Sequence, residues 1–277
     1  MSERYADLHI HTHYSDSTDS PLDVVQKASQ AGLSVISICD HDTIDGILPA
    51  REAARGAALE VISGIELSSE YDGKDIHILG YFFNLESGPL VGKLKDMQAS
   101  RVLRMKKMVA KLHELGVKNI TFEEVAELTK SDAVGRLHLA KLLVSKKVVP
   151  SLEMAFERFL AEGAAVYFPK YQQTPHEAIR LIKDSGGIAV MAHPMLTQRD
   201  ELIPALVGAG LDGLEAYYPN CSMEIVNFYI HLAEKHKLIV TGGSDAHGAG
   251  KFSTYIGKSY ITSERVAAMK ERAGVSL

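Results

Sequence analysis

Through the first third of the chain, short apolar runs alternate with polar turns and helical stretches. Tyr5 to His9, Val35 to Cys39, Glu60 to Glu66 and Asp75 to Tyr81 each read as a strand, and Asp72-Gly73 is placed as a hairpin turn before the last of them. Ser20-Pro21 supplies an N-cap and a first-turn proline, with Gly32 as the stop; a second helix is predicted from about 44 to 55.

The period then changes. Leu94, Met97, Val102, Met105, Val109 and Leu112 recur at helical spacing up to Gly116, and shorter helical pieces follow near 122–128, 137–144 and 152–160. This block shows no strand pattern and is predicted to be a small inserted helical subdomain, residues 90–165, inside a barrel made of 1–89 and 166–277. Alternation resumes at the capping box Thr174-Pro175-His176-Glu177. Strands are predicted at 188–192, 213–216 and 238–242, separated by helices near 201–209 and 223–235. Seven strands joined mostly by helices define an α/β fold, a mostly parallel barrel one strand short of eight.

The 277 residues, 46% hydrophobic and 23% charged, suit one barrel with an insertion and can bury a core without disulfides. Two cysteines, Cys39 and Cys221, form no CxxC pair. Together with a first segment lacking the apolar run of a signal peptide, they predict a cytoplasmic protein. No stretch is apolar for long enough to span a membrane. The net charge of −5 argues against a long non-specific nucleic-acid footprint. It is unevenly spread: residues 95–147 carry twelve Lys and Arg against six Asp and Glu, leaving −11 for the rest. An acidic body suits metal ions and a basic segment suits anions, although most of those lysines read as a solvated helical face.

Placed on the strand map, the polar residues converge. His9 and His11 close the first strand, Asp40-His41-Asp42 follows the second, Glu66 ends the third and His77 lies in the fourth. His193 follows the fifth, and Asp245 and His247 follow the seventh. Barrel enzymes build their sites from the C-terminal ends of their strands. In extended chain His9 and His11 point the same way, so an HxH pair can hold one ion. A carboxylate such as Glu66 can bridge two ions, and imidazole with carboxylate suits zinc, manganese or iron. A single HxH carries little weight. The whole set, with Asp16, is a costly way to fill a core unless it binds metal.

The motifs Asp7-Leu8-His9-Ile10-His11 with Ser15-Asp16, Cys39-Asp40-His41-Asp42, Gly64-Ile65-Glu66 with His77, Ala192-His193-Pro194 and Gly243-Ser244-Asp245-Ala246-His247 resemble those of the PHP (polymerase and histidinol phosphatase) superfamily over 1–85 and about 165–250. The resemblance implies a distorted (β/α)7 barrel and a site for two or three divalent ions (Mn, Fe or Zn). By motif position His9, His11, Glu66 and Asp245 would hold the first ion, Glu66, His77 and His193 the second, and Asp16, His41 and His247 the third. The insert further resembles that of a group containing nucleotide phosphatases and a 5′-to-3′ exoribonuclease, whose Arg-x-His motif matches Arg136-Leu137-His138.

The implied reaction is hydrolysis of a phosphate ester of a nucleotide: a 5′-nucleotide, a 3′,5′-bisphosphonucleotide or a short RNA 5′ end. A metal-bridging hydroxide attacks phosphorus, with Glu66, His193 and Asp245 at the catalytic centre. Arg136, His138 and Lys170 would bind the substrate phosphate, and Asp40 and Asp42 would orient ligands. No stable protein partner is implied. The competing readings are a histidinol-phosphate phosphatase, which would not need the insert, a proofreading exonuclease domain, which belongs in a much larger polymerase chain, and a metal-binding regulatory module without turnover. His13 is placed beside the cluster or in solvent, and His113, His176, His231 and His236 on helix surfaces.

Overall fold

The structure is a computed structural model that describes residues 5–128, 134–169, 173–250 and 254–275. Its strands are β1 (Tyr5–Ile10), β2 (Val35–Ile38), β3 (Glu60–Tyr71), β4 (Lys74–Tyr81), β5 (Ile188–Met191), β6 (Gly213–Tyr217), β7 (Ile239–Gly242) and β8 (Ile261–Thr262). Its helices are α1 (Pro21–Gln30), α2 (Ile47–Ala53), α3 (Gly88–Glu114), α4 (Phe122–Ala126), α5 (Arg136–Ser145), α6 (Leu152–Ala155), α7 (Pro175–Asp184), α8 (Pro194–Thr197), α9 (Ile203–Gly208), α10 (Met223–Lys235) and α11 (Ser263–Ala273).

The strands form one sheet in the order β7-β6-β5-β4-β3-β2-β1-β8. A bridge from Ile10 to Ala246 and the His11 N–H to Ala246 carbonyl bond join its two sides, so the barrel is nearly closed. Closure depends on Gly243, where a Cβ would lie 2.4 Å from the His9 nitrogen. All seven expected strands are present.

Two features differ from the sequence reading. β3 runs past Glu66 to Tyr71 and makes a long hairpin with β4, turned by Asp72 and Gly73 at φ 51° and 74°. Because β4 is antiparallel to both β3 and β5, it enters at the mouth, where its parallel neighbours end. His77 therefore reaches the site from the entering half of β4, opposite Ser68. The second feature is the closing segment. The two-residue β8 pairs with β1, and α11 packs against β1, β5 and β7, setting Val266 and Met269 into a cluster with Leu8, Tyr81 and Val190.

The outer helices bury Val24, Ile47, Ile179, Ile182 and Leu206 against the other strand faces. Capping boxes at Ser20 and Thr174 start α1 and α7, each with proline in the first turn.

Leaving β4 at the closed end, the chain must climb back to the mouth, and α3 makes the climb. Its 27 residues span about 40 Å. Leu90 and Leu94 belong to the barrel core, whereas Met105, Met108, Val109 and Leu112 belong to a separate core with Val125, Leu139, Leu143, Phe159 and Val166. His113, expected on the surface, is half-buried and meets the Ile120 carbonyl at 2.6 Å, tying the end of α3 to the turn after it. No described helix is long and apolar enough to cross a membrane, and both cysteines are free.

Candidate metal centre

The chain turns that carry the site are held by buried carboxylates. Asp40 accepts from the Thr12 N–H at 2.7 Å and from the Thr12 and Ser15 hydroxyls at 2.6 Å, shaping the turn that presents Asp16. Asp42, at φ 53°, accepts from the Ser68 N–H at 2.7 Å and from the Arg101 guanidinium of α3. Asp7 accepts from the N–H groups of Ser244 and Gly257, both at 2.8 Å, and from His9 at 3.3 Å. It thereby fixes the chain that carries Asp245 and His247, and burial raises its carboxyl to about 6.

On this frame the structure brings His9, His11, Asp16, His41, Glu66, His77, His193, Asp245 and His247 together. Glu66 is the hub. Its Oε2 lies 3.2 Å from His9 Nε2, His11 Nε2 and His41 Nδ1, and its Oε1 lies 2.7 Å from His77 Nδ1 and 3.0 Å from His193 Nε2. Asp245 Oδ1 stands 3.0 Å from His11 Nε2 and 3.5 Å from His9 Nε2. His247 Nε2 is 3.0 Å from Asp16 Oδ1. His41 stands between two groups, with its other nitrogen 4.0 Å from Asp16. Three sets each gather their donor atoms within 4.8 Å: His9, His11, Glu66 and Asp245; His41, Glu66 and His77; and His11, Asp16, His41 and His247.

These spacings fit cations. Two ligands bonded to one ion at about 2.1 Å, at tetrahedral or octahedral angles, stand roughly 3.0–3.4 Å apart. His9 Nε2 and His11 Nε2 face each other at 3.1 Å, a spacing that suits two ligands of one ion and that, without the ion, is held by a hydrogen bond from whichever ring carries its proton there. His11 Nδ1 and His193 Nδ1 are buried without a hydrogen-bond partner among the described residues. Burial opposes ionisation of Glu66, yet His41, His77 and His9 hold its carboxyl well below the usual range. Asp245 is likewise held low against burial by His9, His11 and His247. Burial pushes His41 down to about 3 against the pull of the Glu66 and Asp16 charges. The donor set is that of a site for divalent metal ions.

The sequence reading missed Glu215, Arg101 and Arg104, which bear on this centre. Glu215 of β6, fully buried, lies 2.9 Å from His9 Nδ1 and accepts from the His193 N–H at 2.8 Å. The Tyr218 hydroxyl donates to Asp245 Oδ2 at 2.8 Å. On the insert side, Arg101 also reaches the Ser68 hydroxyl at 3.1 Å. Arg104 donates from Nε to the Phe168 carbonyl at 2.7 Å, and its Nη2 is buried without a partner among the described residues. Burial, then the Arg136 and Arg101 charges, lower Arg104 to about 10. Arg104 and Arg136 share the Tyr167 ring, and Arg136 donates to the Leu160 carbonyl at 3.2 Å.

His138 is buried. Its Nδ1 accepts from the Gly135 N–H at 3.0 Å, while the Ser15 carbonyl and Asp16 face the ring from the metal-site side. With main-chain groups on both sides, it joins the insert to the Asp16 turn. Lys170 lies outside the described residues.

A barrel mouth lined with convergent imidazoles and carboxylates is the arrangement of a metal-dependent hydrolase. The PHP domain model matches residues 7–101. A 5′-3′ exoribonuclease of Haemophilus influenzae is 31% identical over 252 residues, 89% of this chain and 91% of that protein. A phosphoribosyl 1,2-cyclic phosphate 1,2-diphosphodiesterase of Eggerthella lenta is 30% identical over 253 residues, 87% of this chain and 94% of its own. A solved structure from Bifidobacterium adolescentis, provisionally assigned as a metal-dependent phosphoesterase, superposes with a TM-score of 0.87 at 31% identity, covering 98% of this chain and 97% of that one. The chain belongs to the PHP family of metal-dependent phosphoesterases. It is a hydrolase of phosphoric ester bonds.

Proposed function

We propose that the chain hydrolyses a phosphate ester of a nucleotide: a 5′-nucleotide, a 3′,5′-bisphosphonucleotide or the 5′ end of a short RNA. The observation that carries this reading is the guanidinium cluster beside the metal centre. Burial and the neighbouring Arg136 and Arg101 charges lower Arg104, which keeps a buried donor without a partner among the described residues. Cations so placed call for an anion, and planar forks suit phosphate. One relative is an exoribonuclease by its name, which supports a nucleotide substrate, and the other acts on a phosphoribosyl cyclic phosphate, which supports only the coarser class of ribose-linked phosphate.

In this reading His9, His11, Glu66 and Asp245 hold one ion, and Glu66, His77 and His193 a second. Asp16, His41 and His247 hold a third, giving two or three ions of manganese, iron or zinc. When bound, these ions supply Lewis acidity toward the phosphoryl oxygens and a nucleophile at neutral pH. Glu66, His193 and Asp245 set the reacting phosphate in the mouth. Arg136, with Arg101 and Arg104, grips a phosphate from the insert, taken as residues 90–165. His138 holds the insert against the Asp16 turn, and Lys170 is kept as a further phosphate contact from its sequence position. We assign the reaction to the cytoplasm, in keeping with two unpaired cysteines.

The test is phosphate release by manganese-loaded protein from 5′-AMP, adenosine 3′,5′-bisphosphate, a 5′-phosphorylated RNA, a phosphoribosyl cyclic phosphate and histidinol phosphate. Preference for the nucleotides or RNA is expected. Preference for either of the last two overturns the substrate assignment.

A further inference from the structure

We propose that Glu215 is a positioning residue that sets up ligands of two different ions with one carboxylate. The inference rests on the assignment of His9 and His193 as metal ligands made above.

Glu215 is fully buried on β6, and among the described residues no Lys or Arg pairs with it. A buried carboxylate without a cation is costly and calls for a reason. Its two oxygens do different work. Oε1, at 2.9 Å from His9 Nδ1, accepts the ring proton. That places the proton on Nδ1 and leaves Nε2 bare, facing Glu66 at 3.2 Å and Asp245 at 3.5 Å. An imidazole ligates only through a nitrogen without a proton, so Glu215 selects the tautomer that can bind.

Oε2 accepts the His193 main-chain N–H at 2.8 Å. His193 has φ 28° and ψ 57°, a conformation that non-glycine residues seldom adopt, and from it the ring reaches Glu66 at 3.0 Å. Glu215 thus holds the tautomer of one ligand and the backbone of another. An irregular register with β7 between Glu215 and Tyr217 accompanies this placement.

Glutamine separates this role from a merely structural one. It has nearly the same shape, removes the buried charge, and offers one acceptor where two N–H donors need one each. For Glu215→Gln we expect a metal-free protein that melts at or above the wild-type temperature. Its affinity for manganese or zinc, titrated against a competing chelator, should fall 10- to 100-fold. At saturating metal, kcat should fall with KM little changed. Affinity within twofold of wild type and unchanged kcat would overturn the inference while leaving the metal centre standing. Failure of the wild-type protein itself to take up any divalent ion would instead bring down the ligand assignment, and this inference with it.

A second measurement needs no variant. In the ring 15N spectrum of zinc-loaded wild-type protein, His9 should carry its proton on Nδ1, and the His193 amide should exchange slowly. A proton on His9 Nε2 would overturn the role whatever the stability of Glu215→Gln.

Discussion

The Tyr218 hydroxyl donates to Oδ2 of Asp245 at 2.8 Å while Oδ1 of the same carboxylate stands 3.0 Å from His11 Nε2. One oxygen is occupied by a protein donor, and the other is turned toward the cluster. Burial and the Asp245 charge push the phenol well above its ordinary range, so it stays protonated in neutral and mildly alkaline solution. Tyr218→Phe should reduce kcat roughly 3- to 10-fold, the scale of one net hydrogen bond, with metal content intact. The alkaline limb of the pH–rate profile should not move. A displaced limb would show that the phenol titrates in the working range.

Removing the ions should make stability depend on pH. Without metal, His11 is raised to about 9, because Asp245 and Glu66 outweigh its burial. A raised imidazole contributes stability that is fully present below the unfolded value of about 6.5 and is lost as pH rises through 9. Chelator-treated protein should therefore lose roughly 3 kcal/mol or less between pH 6.5 and 9, whereas metal-loaded protein should lose far less. Parallel melting curves for the two forms would contradict a shared site for protons and metal. Metal uptake near pH 7 should also release protons, measurable in weak buffer.

Asp42 is buried, and Arg101 is its cationic partner. Arg101→Ala strands that charge and should cost about 3–5 kcal/mol by denaturant unfolding. Arg101→Ala with Asp42→Asn should recover much of the loss, because the uncompensated charge is then gone. A single variant as stable as wild type would show that the pair contributes nothing to docking α3.

At Arg104, stability and function should part. Arg104→Met removes a partly buried cation from beside two others and should leave stability unchanged or higher. Arg136→Ala and Arg104→Met should both lose turnover with metal content unchanged. In the wild type, millimolar inorganic phosphate should raise the melting temperature, and in either variant that gain should shrink. Equal gains in all three proteins would place phosphate elsewhere.

Much of the metal centre was legible in the chain. His9 and His11 share a face by parity, and His41, Glu66, His193, Asp245 and His247 recur where strands were expected to end. Glu215 was not legible, because Gly-Leu-Glu-Ala-Tyr carries no spacing that marks a site; only the fold reveals which ring the carboxylate meets. Arg101 and Arg104 were hidden among neighbours such as Lys106, Lys107 and Lys111, which read as one solvated face. Which of these cations meets the mouth depends on the direction of α3, and that follows from the antiparallel course of β4. The closing segment was missed because a two-residue strand has no period, and α11 offers only Val266 and Met269 as buried apolar positions.

The course of α3 has a metrical consequence. The arginines proposed to bind phosphate and the candidate metal ligands sit on separate cores joined by one continuous helix, with Leu90 and Leu94 anchored below and Met105 and Met108 above. The gap between grip and ions is therefore graduated in helical turns of about 5.4 Å, not in loop slack. Inserting or deleting a turn between Met97 and Arg101 would move Arg104 and Arg136 by about that much relative to the candidate metal ligands, making this helix the calliper of the barrel mouth.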